Sequence, residues 1–344
     1  MRSSVLAGAL LLGTAAVLAS CNDGSPTAPN QAPVAPGTPA SLAAGGNSCK
    51  EPKGHPAGTI IGTVPAPGPW AVAVRDDGLA YFTEIFNNGV GITNTTTRTI
   101  TGFIPTGSLP TGIAFSPDGT RAYTANQGDN TVSVINVATS QLIGSVSTGG
   151  SSPFSVEVSP DGTQLYVGNN DNTMMVVDVP TLRVVKTVIV GFATNAFAID
   201  PAGRMLYASS FVSGTVSEID IFTNNVVRTF ALGGTTQGMA LNKKGTHLYV
   251  ANQGGYLSDV DLRTGLAGTQ IPIAGVGFGV GVTADDHEAW ITLPLDGKVQ
   301  IFNLQQRRVT GTLNVGGEPR RVAFSDQGKI GAVTNQAGYI TFVK

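Results

Sequence analysis

The sequence predicts an all-β fold, a single seven-bladed β-propeller of four-stranded antiparallel blades over residues 58–344. Three observations predict it. A turn-and-strand frame recurs seven times at intervals of 41 to 43 residues, each repeat holds four short strand-like runs, and the run missing from the last repeat stands before the first. Four short strands repeated at such a period are typical of radially stacked blades.

The recurring turn fixes the period. Ser116-Pro117-Asp118-Gly119 is followed three residues later by Ala122-Tyr123, and Ser159-Pro160-Asp161-Gly162 by Leu165-Tyr166. The same frame returns at Asp77-Gly78, Ala202-Gly203, Lys244-Gly245, Asp285-Asp286 and Gln327-Gly328. The second residues of the seven frames are separated by 41, 43, 41, 42, 41 and 42 positions. This regularity predicts structural repeats rather than chance similarity.

Each repeat contains four runs rich in Val, Ile, Thr and Tyr, separated by Gly, Pro, Asn and Asp, as expected for a meander of strands. In the second repeat the runs are 112–115, 121–125, 131–137 and 141–146. A short polar residue closes the third run, where its side chain can bond the backbone of the following turn. These residues are Asn136, Asp178, Asp220, Asp261 and Asn303.

The two ends of the repeat array complement each other. The last repeat supplies runs 321–324, 329–334 and 338–344 and then stops. Residues 58–64 precede the first repeat and match the pattern of the fourth run at 142–146. We therefore expect the N-terminal strand to complete the last blade and close the ring, which leaves few free sheet edges.

Two second runs carry a family resemblance. Leu165-Tyr166-Val167-Gly168-Asn169 and Leu248-Tyr249-Val250-Ala251-Asn252 resemble the YVTN repeats of bacterial and archaeal surface propellers, and the resemblance extends over about residues 58–344. It implies the propeller fold. It does not select one activity, because related propellers include interaction scaffolds, surface proteins, ligand binders and occasional enzymes. The Gly-His and Trp-Asp markers of WD repeats do not recur.

Composition agrees with an all-β chain and argues against nucleic acid as a partner. Charged residues make up 12% of the 344 residues, against about 25% in typical soluble domains. The 45 glycines and 20 prolines supply many turns. With 20 basic and 22 acidic residues the net charge is −2, so the chain has no global positive field to attract phosphate backbones.

Residues 1–20 predict a signal peptide of the lipoprotein class. One positive charge precedes the apolar stretch Val5–Leu18, which is too short for an ordinary membrane helix. Leu18-Ala19-Ser20-Cys21 resembles the bacterial lipobox, which implies cleavage before Cys21 and a lipid on its thiol. Because Asn22 and not Asp follows the cysteine, we expect the protein in the cell envelope, anchored in the outer membrane on its periplasmic or surface side.

Residues 21–57 predict a disordered tether rich in Pro and Gly. The segment 22–57 contains seven prolines and almost no aromatic or β-branched residues, so it cannot bury a core. Cys49 lies in this tether. We expect an unreactive thiol there, and an intermolecular disulfide is the alternative in an oxidising envelope.

The sequence supplies little for metal or cofactor chemistry. The histidines are His55, His247 and His287, and the propeller region has no cysteine, so no zinc, copper or haem site is predicted. The glycines of 275–281 are not followed by a helix and indicate close blade packing. We expect no cofactor and no metal, although Asp and Asn at the hairpin tips leave a calcium site as an alternative.

Two charged residues interrupt the innermost runs. Aligned on the repeat, these runs alternate small with large apolar residues; they are 71–74, 112–115, 155–158, 196–199, 238–241, 279–282 and 321–324. Glu157 and Arg321 occupy small positions. An ionised group near the crowded centre of the ring needs a partner or water. We expect either local satisfaction or a binding role at the mouth of the channel.

Two acids interrupt the third runs. Glu218 and Asp259 share a register with Val134, Val176 and Ile301 of other blades. Paired carboxylates can perform acid and base chemistry when their surroundings separate their pKa values. A hydrated structural pocket is the simpler interpretation, and we favour it.

One face of the predicted ring collects the residue types of recognition surfaces. The loops that enter the innermost strands share this face with the loops between second and third strands. Aromatic, arginine and amide side chains gather there, as in protein interfaces. The predicted binding face consists of Trp70, Glu84, Phe86, Asn126, Phe154, Glu157, Asn169, Phe211, Asn252, Phe278, Arg320, Arg321 and Asn335.

These observations favour a binding function over catalysis. The first hypothesis is a monomeric envelope lipoprotein that acts as a scaffold for an envelope protein or extracellular ligand. The second is a propeller enzyme, such as a lactonase or a cofactor-assisted dehydrogenase, whose site lies at the central channel and uses Glu157 or the acids Glu218 and Asp259. The third is a structural surface-layer or adhesion module. We assign no catalytic residue.

Overall fold

The computed structural model describes residues 58–149, 152–325 and 330–344, except for the side chain of Ala267. All of them belong to the unit Pro52–Lys344. They form seven four-stranded antiparallel sheets arranged as blades in a ring, which confirms the predicted fold. The predictions for the signal peptide, Cys21, the tether, Cys49 and His55 lie outside the described residues, as does the turn Gln327-Gly328.

Strands are numbered β1 to β28 along the chain. The innermost strands of blades 1 to 6 are Pro69–Val74 (β2), Pro110–Phe115 (β6), Pro153–Val158 (β10), Thr194–Ile199 (β14), Thr236–Leu241 (β18) and Val280–Val282 (β22). The second strands are Leu79–Glu84 (β3), Arg121–Asn126 (β7), Gln164–Asn169 (β11), Met205–Ser210 (β15), His247–Asn252 (β19) and Glu288–Leu293 (β23).

The third strands of the same blades are Gly89–Asn94 (β4), Thr131–Asn136 (β8), Thr173–Asp178 (β12), Thr215–Asp220 (β16), Tyr256–Asp261 (β20) and Lys298–Asn303 (β24). The outer strands are Thr99–Pro105 (β5), Gln141–Ser147 (β9), Arg183–Ile189 (β13), Asn225–Ala231 (β17), Leu266–Pro272 (β21) and Arg308–Asn314 (β25). Blade 7 consists of Pro319–Phe324 (β26), Gly331–Asn335 (β27), Tyr339–Val343 (β28) and Ile60–Pro65 (β1).

Burial follows the position of each strand in its blade. The middle strands β11 and β12 are almost wholly buried, because the neighbouring blades cover both of their faces. Such strands read as continuous apolar runs. The outer strand β13 alternates and exposes most of its residues to solvent. The core therefore lies between blades, where each sheet packs against the next.

The turns form as their residues predict. The Asp118 carboxylate accepts hydrogen bonds from the backbone N–H of Thr120 at 3.0 Å and from the Ser116 hydroxyl at 2.6 Å. Gly119 follows with φ 66°, a conformation in which glycine has no steric cost. The third-strand marker acts in the same way, since Asn136 accepts a hydrogen bond from the Thr139 N–H at 2.9 Å.

The N-terminal strand closes the ring. Strand β1 pairs antiparallel with β28 in the register Thr63 to Thr341 and Val64 to Ile340. Thr59 and Lys344 exchange two backbone hydrogen bonds of 2.8 and 2.9 Å at the end of this ladder. The prediction that the two ends of the chain share one blade is confirmed.

Hydrogen bonds between blades hold the innermost strands together around the channel. Hydroxyl groups donate to backbone carbonyls of the next innermost strand: Thr83 to Thr111 at 2.9 Å, Thr111 to Phe154 at 2.8 Å, Ser209 to Gln237 at 2.8 Å, Thr292 to Arg320 at 2.8 Å and Thr334 to Trp70 at 2.7 Å. The strands approach so closely that a Cβ on Gly112 would lie 2.8 Å from the Ser155 Cα. Small residues at these positions are therefore a packing requirement.

Among the described residues, no helix has both the length and the apolar character that a bilayer crossing needs.

Candidate functional site

A ring of seven residues surrounds the mouth of the central channel, one from each blade. They occupy equivalent positions directly before the first small residue of each innermost run, and we call them the mouth ring: Trp70, Thr111, Phe154, Asn195, Gln237, Phe278 and Arg320. The blades repeat one backbone seven times, but the side chains at this position include three aromatic rings, two amides, a hydroxyl and a guanidinium group. At the mouth ring, therefore, the blades share a backbone position but present different kinds of side chain.

Aromatic rings and an arginine pack together on one side of the mouth ring. Trp70 makes edge-to-face contacts with Phe154 and Phe278, with ring centroids 6.0 and 5.7 Å apart. The Arg320 guanidinium lies 5.0 Å from the Trp70 ring centroid and 5.1 Å from that of Phe278. Such contacts are favourable beyond the burial of apolar area. The structure thus brings four of the sequence-predicted face residues together.

Arg320 is fixed by polar partners as well. Its guanidinium donates to the Gln336 side chain at 2.8 Å and pairs with Glu318 at 2.9 Å. Burial lowers the pKa of Arg320, although Glu318 opposes that effect. The aromatic and arginine side of the mouth ring is preorganised by these contacts.

Arg321 crosses the channel. It extends from blade 7 to blade 4, where its Nη2 donates to the backbone oxygen of Asn195 at 3.2 Å and to the Asn195 side-chain oxygen. Asn195 in turn donates to the Gln237 side-chain oxygen at 2.8 Å. The Arg321 guanidinium also lies 5.0 Å from the Phe278 ring centroid. Burial, followed by the neighbouring positive charge of Arg320, lowers the pKa of Arg321 to about 10.

When the innermost strands are aligned, Glu157 of blade 3 lies two positions C-terminal to the position that Arg321 occupies in blade 7. Its Oε1 accepts a hydrogen bond from the backbone N–H of Val158 at 3.1 Å. Enclosure in the channel raises the pKa of Glu157 to about 7 against an ordinary value of 4.5. Desolvation is the main cause, since removing a carboxylate from water disfavours its charged form. At neutral pH this carboxyl group therefore divides its population between the two protonation states.

Glu157 and Arg321 line one cavity of about 160 Å³ in the channel. All seven innermost strands contribute to its wall, including Trp70, Phe154 and Asn195 from the mouth ring. The remaining lining consists of Ala, Gly, Ser, Thr and larger apolar residues. Glu157 and Arg321 are thus the ionisable side chains of this cavity.

Five other members of the predicted face are buried. Asn126, Asn169, Asn252 and Asn335 are 0% exposed and Glu84 is 4% exposed. They end the second strands, where for example Asn252 accepts hydrogen bonds from the N–H groups of Thr235 and Gly254 at 3.1 and 2.8 Å. These side chains hold loops in place. Burial raises the pKa of Glu84, and a hydrogen bond from Asn87 partly offsets the shift.

Exposed apolar side chains lie in the loops of this face instead. Phe86 is 66% exposed and Phe211 is partly buried in the loops between second and third strands. Sequence reasoning missed four further exposed residues in loops on this face: Leu109, Phe192, Val212 and Leu295. Each is a large apolar residue within a turn-rich loop, and that signal was available. We call Phe86, Leu109, Phe192, Val212 and Leu295 the loop crown.

The third-strand acids have separate partners. Glu218 accepts a hydrogen bond from the Tyr207 hydroxyl at 3.0 Å and pairs with Arg228 at 2.7 Å. Asp259 lies 2.7 Å from His247 Nδ1 and 2.7 Å from an Arg307 nitrogen. Each carboxylate is thus compensated within its own surroundings, one in blade 4 and one in blade 5. The structural interpretation of these two acids fits these contacts.

The opposite face carries the repeated Asp-containing turns. A cavity of about 820 Å³ lies there, lined by residues that include Arg75, Asp77, Arg98 and Lys344. Arg75 pairs with Asp77 at 2.8 Å, and an Arg75 nitrogen donates to the Gly119 carbonyl at 2.9 Å. In the described part of the chain, no three His, Cys, Asp or Glu side chains are grouped as metal ligands.

Comparison with known proteins agrees with the fold. A family model described as "Lactonase, 7-bladed beta-propeller" matches residues 91–188, which is less than a third of the chain. No curated protein matches. Among solved structures, a chain of Kuenenia stuttgartiensis hydrazine synthase is similar with a TM-score of 0.75 and 18% identity, covering 85% of this chain and 98% of that one. At that identity the likeness shows a shared propeller fold and nothing more.

Proposed function

We propose that this protein is a cell-envelope lipoprotein that binds an envelope protein or an extracellular ligand through the face around the channel mouth. The observation that carries the proposal is the loop crown. Its five large apolar side chains come from five different loops and are between 39% and 75% exposed. Exposed apolar groups that cluster on one face and are rimmed by polar residues are typical of docking surfaces.

The mouth ring supplies the second element of such a surface. Aromatic and arginine side chains that are already packed lose little conformational freedom when a partner arrives, which favours affinity. Arg320 is held by Trp70, Phe278 and Gln336 before any partner binds. Among the described residues, the opposite face offers one comparable exposed aromatic residue, Phe222 at 78%, beside its repeated polar turns. We therefore assign docking to the mouth face.

Capture from native membranes tests this proposal. The parent chain is compared with a face variant and with a rim control. In the face variant, four loop residues become Ser: Phe86, Phe192, Val212 and Leu295. In the rim control, four residues of outer strands become Ser: Ile143, Val185, Val227 and Leu266. These rim residues are exposed to a similar degree. We expect one protein or ligand to co-purify with the parent and the rim control and to be lost from the face variant. Equal capture by all three chains would exclude the mouth face.

Lipid anchoring is the other half of the proposal. The apolar stretch Val5–Leu18 and the cysteine at position 21 support it. Two or more acyl chains are needed for stable membrane attachment. We expect Cys21→Ser to move the protein from the membrane fraction to the soluble fraction and to abolish labelling by radioactive palmitate. Membrane retention of an unlabelled variant would contradict the anchor.

An enzymatic function is the second candidate, and two observations favour it. The partial match to the lactonase family model covers parts of blades 1 to 3. Glu157 lies in the central cavity with its pKa raised by burial to about 7, a value suited to general acid and base catalysis near neutral pH. Turnover of a lactone panel that disappears in Glu157→Gln would establish this candidate. No turnover together with face-dependent capture would establish the docking function.

A further inference from the structure

We propose that the central channel binds a small zwitterion of the amino-acid class, with its carboxylate at Arg321 and its ammonium group at Glu157. The proposal is independent of docking at the loop crown. It rests on two side chains of opposite charge that line the same cavity. The described hydrogen bonds of each go to other groups and do not join the two side chains. A ligand that carries both charges complements this arrangement.

Arg321 provides the anion site. Its described hydrogen bonds go to the oxygen atoms of Asn195, which are neutral acceptors. Buried guanidinium groups are usually paired with a carboxylate, because a partner of opposite charge compensates for lost hydration. The charged group that acts on Arg321 is its chain neighbour Arg320, which adds to the positive potential. The geometry therefore leaves Arg321 available to a carboxylate from outside the protein.

Glu157 provides the cation site. At its position in the other six blades stand Ala73, Ala114, Ala198, Ala240, Gly281 and Ala323. Close packing of the ring is satisfied by those small residues, so a glutamate is not required for the fold. Its described hydrogen bond involves Oε1 and a backbone N–H of the next residue. Oε2 is thus left to accept from an ammonium group.

The two sites lie at different levels of one small cavity. Arg321 and Glu157 stand two residues apart in the aligned innermost strands, which corresponds to roughly 6.6 Å along the strand direction. They extend from blades 7 and 3 into a cavity of about 160 Å³. That space exceeds the roughly 30 Å³ of one water several-fold and falls below the roughly 300 Å³ of a drug-sized pocket. A small amino acid matches that volume.

Binding of an ammonium group would change the protonation of Glu157. The carboxyl group is partly protonated at neutral pH because burial raises its pKa to about 7. A cation at hydrogen-bonding distance favours the ionised form. Arg321 is the other ionisable side chain of the cavity, and it keeps its charge throughout this range. An amino acid should therefore displace a proton when it binds near pH 7, whereas a carboxylate without an amine should not.

Titration calorimetry of the full chain in detergent tests the proposal. The twenty common amino acids are titrated singly at pH 7 in two buffers of different ionisation enthalpy. For the amino acid that binds best, the matching α-hydroxy acid and the matching amine follow. We expect each analogue to bind at least tenfold more weakly, and the α-hydroxy acid, which has no ammonium group, to bind without releasing a proton. No binding of any amino acid at 10 mM, roughly the weak end of ligand affinities, would overturn the proposal.

Variants locate the site. Glu157→Gln and Arg321→Gln should each weaken amino-acid binding at least tenfold, and Glu157→Gln should abolish proton release. Arg321→Lys keeps the positive charge at this position. Melting curves of all variants report whether each variant folds. Arg98→Gln, on the opposite face, is the matched control and should bind as the parent does. Unchanged binding in folded Glu157→Gln, or an α-hydroxy acid that binds as tightly as the amino acid, would overturn the assignment.

Discussion

At the residue scale, Glu157 shows what a single departure from a repeat can do. Six blades place alanine or glycine at its position, and the seventh places a carboxyl group in the cavity with one backbone partner. Desolvation makes ionisation of such a group unfavourable, and its pKa rises from 4.5 to about 7. The same enclosure that suits this group for ligand contact destabilises the folded protein once the group is charged.

This cost predicts a pH dependence. Between pH 4.5 and about 7 the folded state holds more protons on Glu157 than the unfolded state, so its contribution to stability falls as pH rises. Glu157→Gln removes the cost. We expect the unfolding free energy of the variant, relative to that of the parent, to rise by up to roughly 3 kcal/mol from pH 4 to pH 8, at about 1.4 kcal/mol per pKa unit. Denaturant unfolding at both pH values measures it, and a difference that does not change with pH would contradict it.

The buried asparagines have a different role. Asn252 accepts two backbone N–H groups and donates to the Gly233 carbonyl at 2.8 Å. Asn252→Ala leaves those groups unsatisfied in a buried place, and we expect a loss of about 2 kcal/mol or more of unfolding free energy. Phe86→Ala, at an exposed site on the same face, should change it by less than about 0.5 kcal/mol. Equal effects of the two substitutions would show that Asn252 does not hold its loop.

At the element scale, the repeats were predictable because each turn and strand obeys local chemistry. The Asp and Gly turns, the Asx residues after third strands and the apolar runs of the middle strands all recur in sequence and in structure. The strand ends were harder. Asn126, Asn169 and Asn335 were predicted to face a partner, but they are 0% exposed. Such burial depends on long-range packing that a local pattern does not contain.

The closing strand β1 is the element with the largest consequence for the ring. It supplies the outer edge of blade 7 through its ladder with β28. Deleting residues 60–65 removes that ladder and exposes Val343 and Phe342, which are 0% exposed. We expect a clear fall in the midpoint of denaturant unfolding and concentration-dependent association through the free edge. Deleting residues 30–35 from the predicted tether removes the same length of chain and should leave both properties unchanged.

At the scale of the whole molecule, seven blades with the same four-stranded order carry one face whose side chains differ between blades. The separations of the mouth ring, 41, 43, 41, 42, 41 and 42 residues, follow the repeat, whereas its side chains do not. The anomalies Glu157 and Arg321 could be found from aligned repeats. That Arg321 reaches Asn195 across the channel could not, because the contact joins residues 126 positions apart. Of the loop crown, Phe86 was predicted and the other four residues were missed. Large apolar residues in loops mark candidates, but which of them are exposed depends on neighbouring loops.

Site-specific photo-crosslinking in native membranes tests the central claim most directly. A photoreactive amino acid is placed at Phe192, in the loop crown, or at Phe222, an exposed aromatic on the opposite face. Docking through the mouth face predicts a defined adduct from position 192 and none from position 222. An adduct formed only from position 222, or from both positions alike, would contradict the assignment of the binding function to the mouth face.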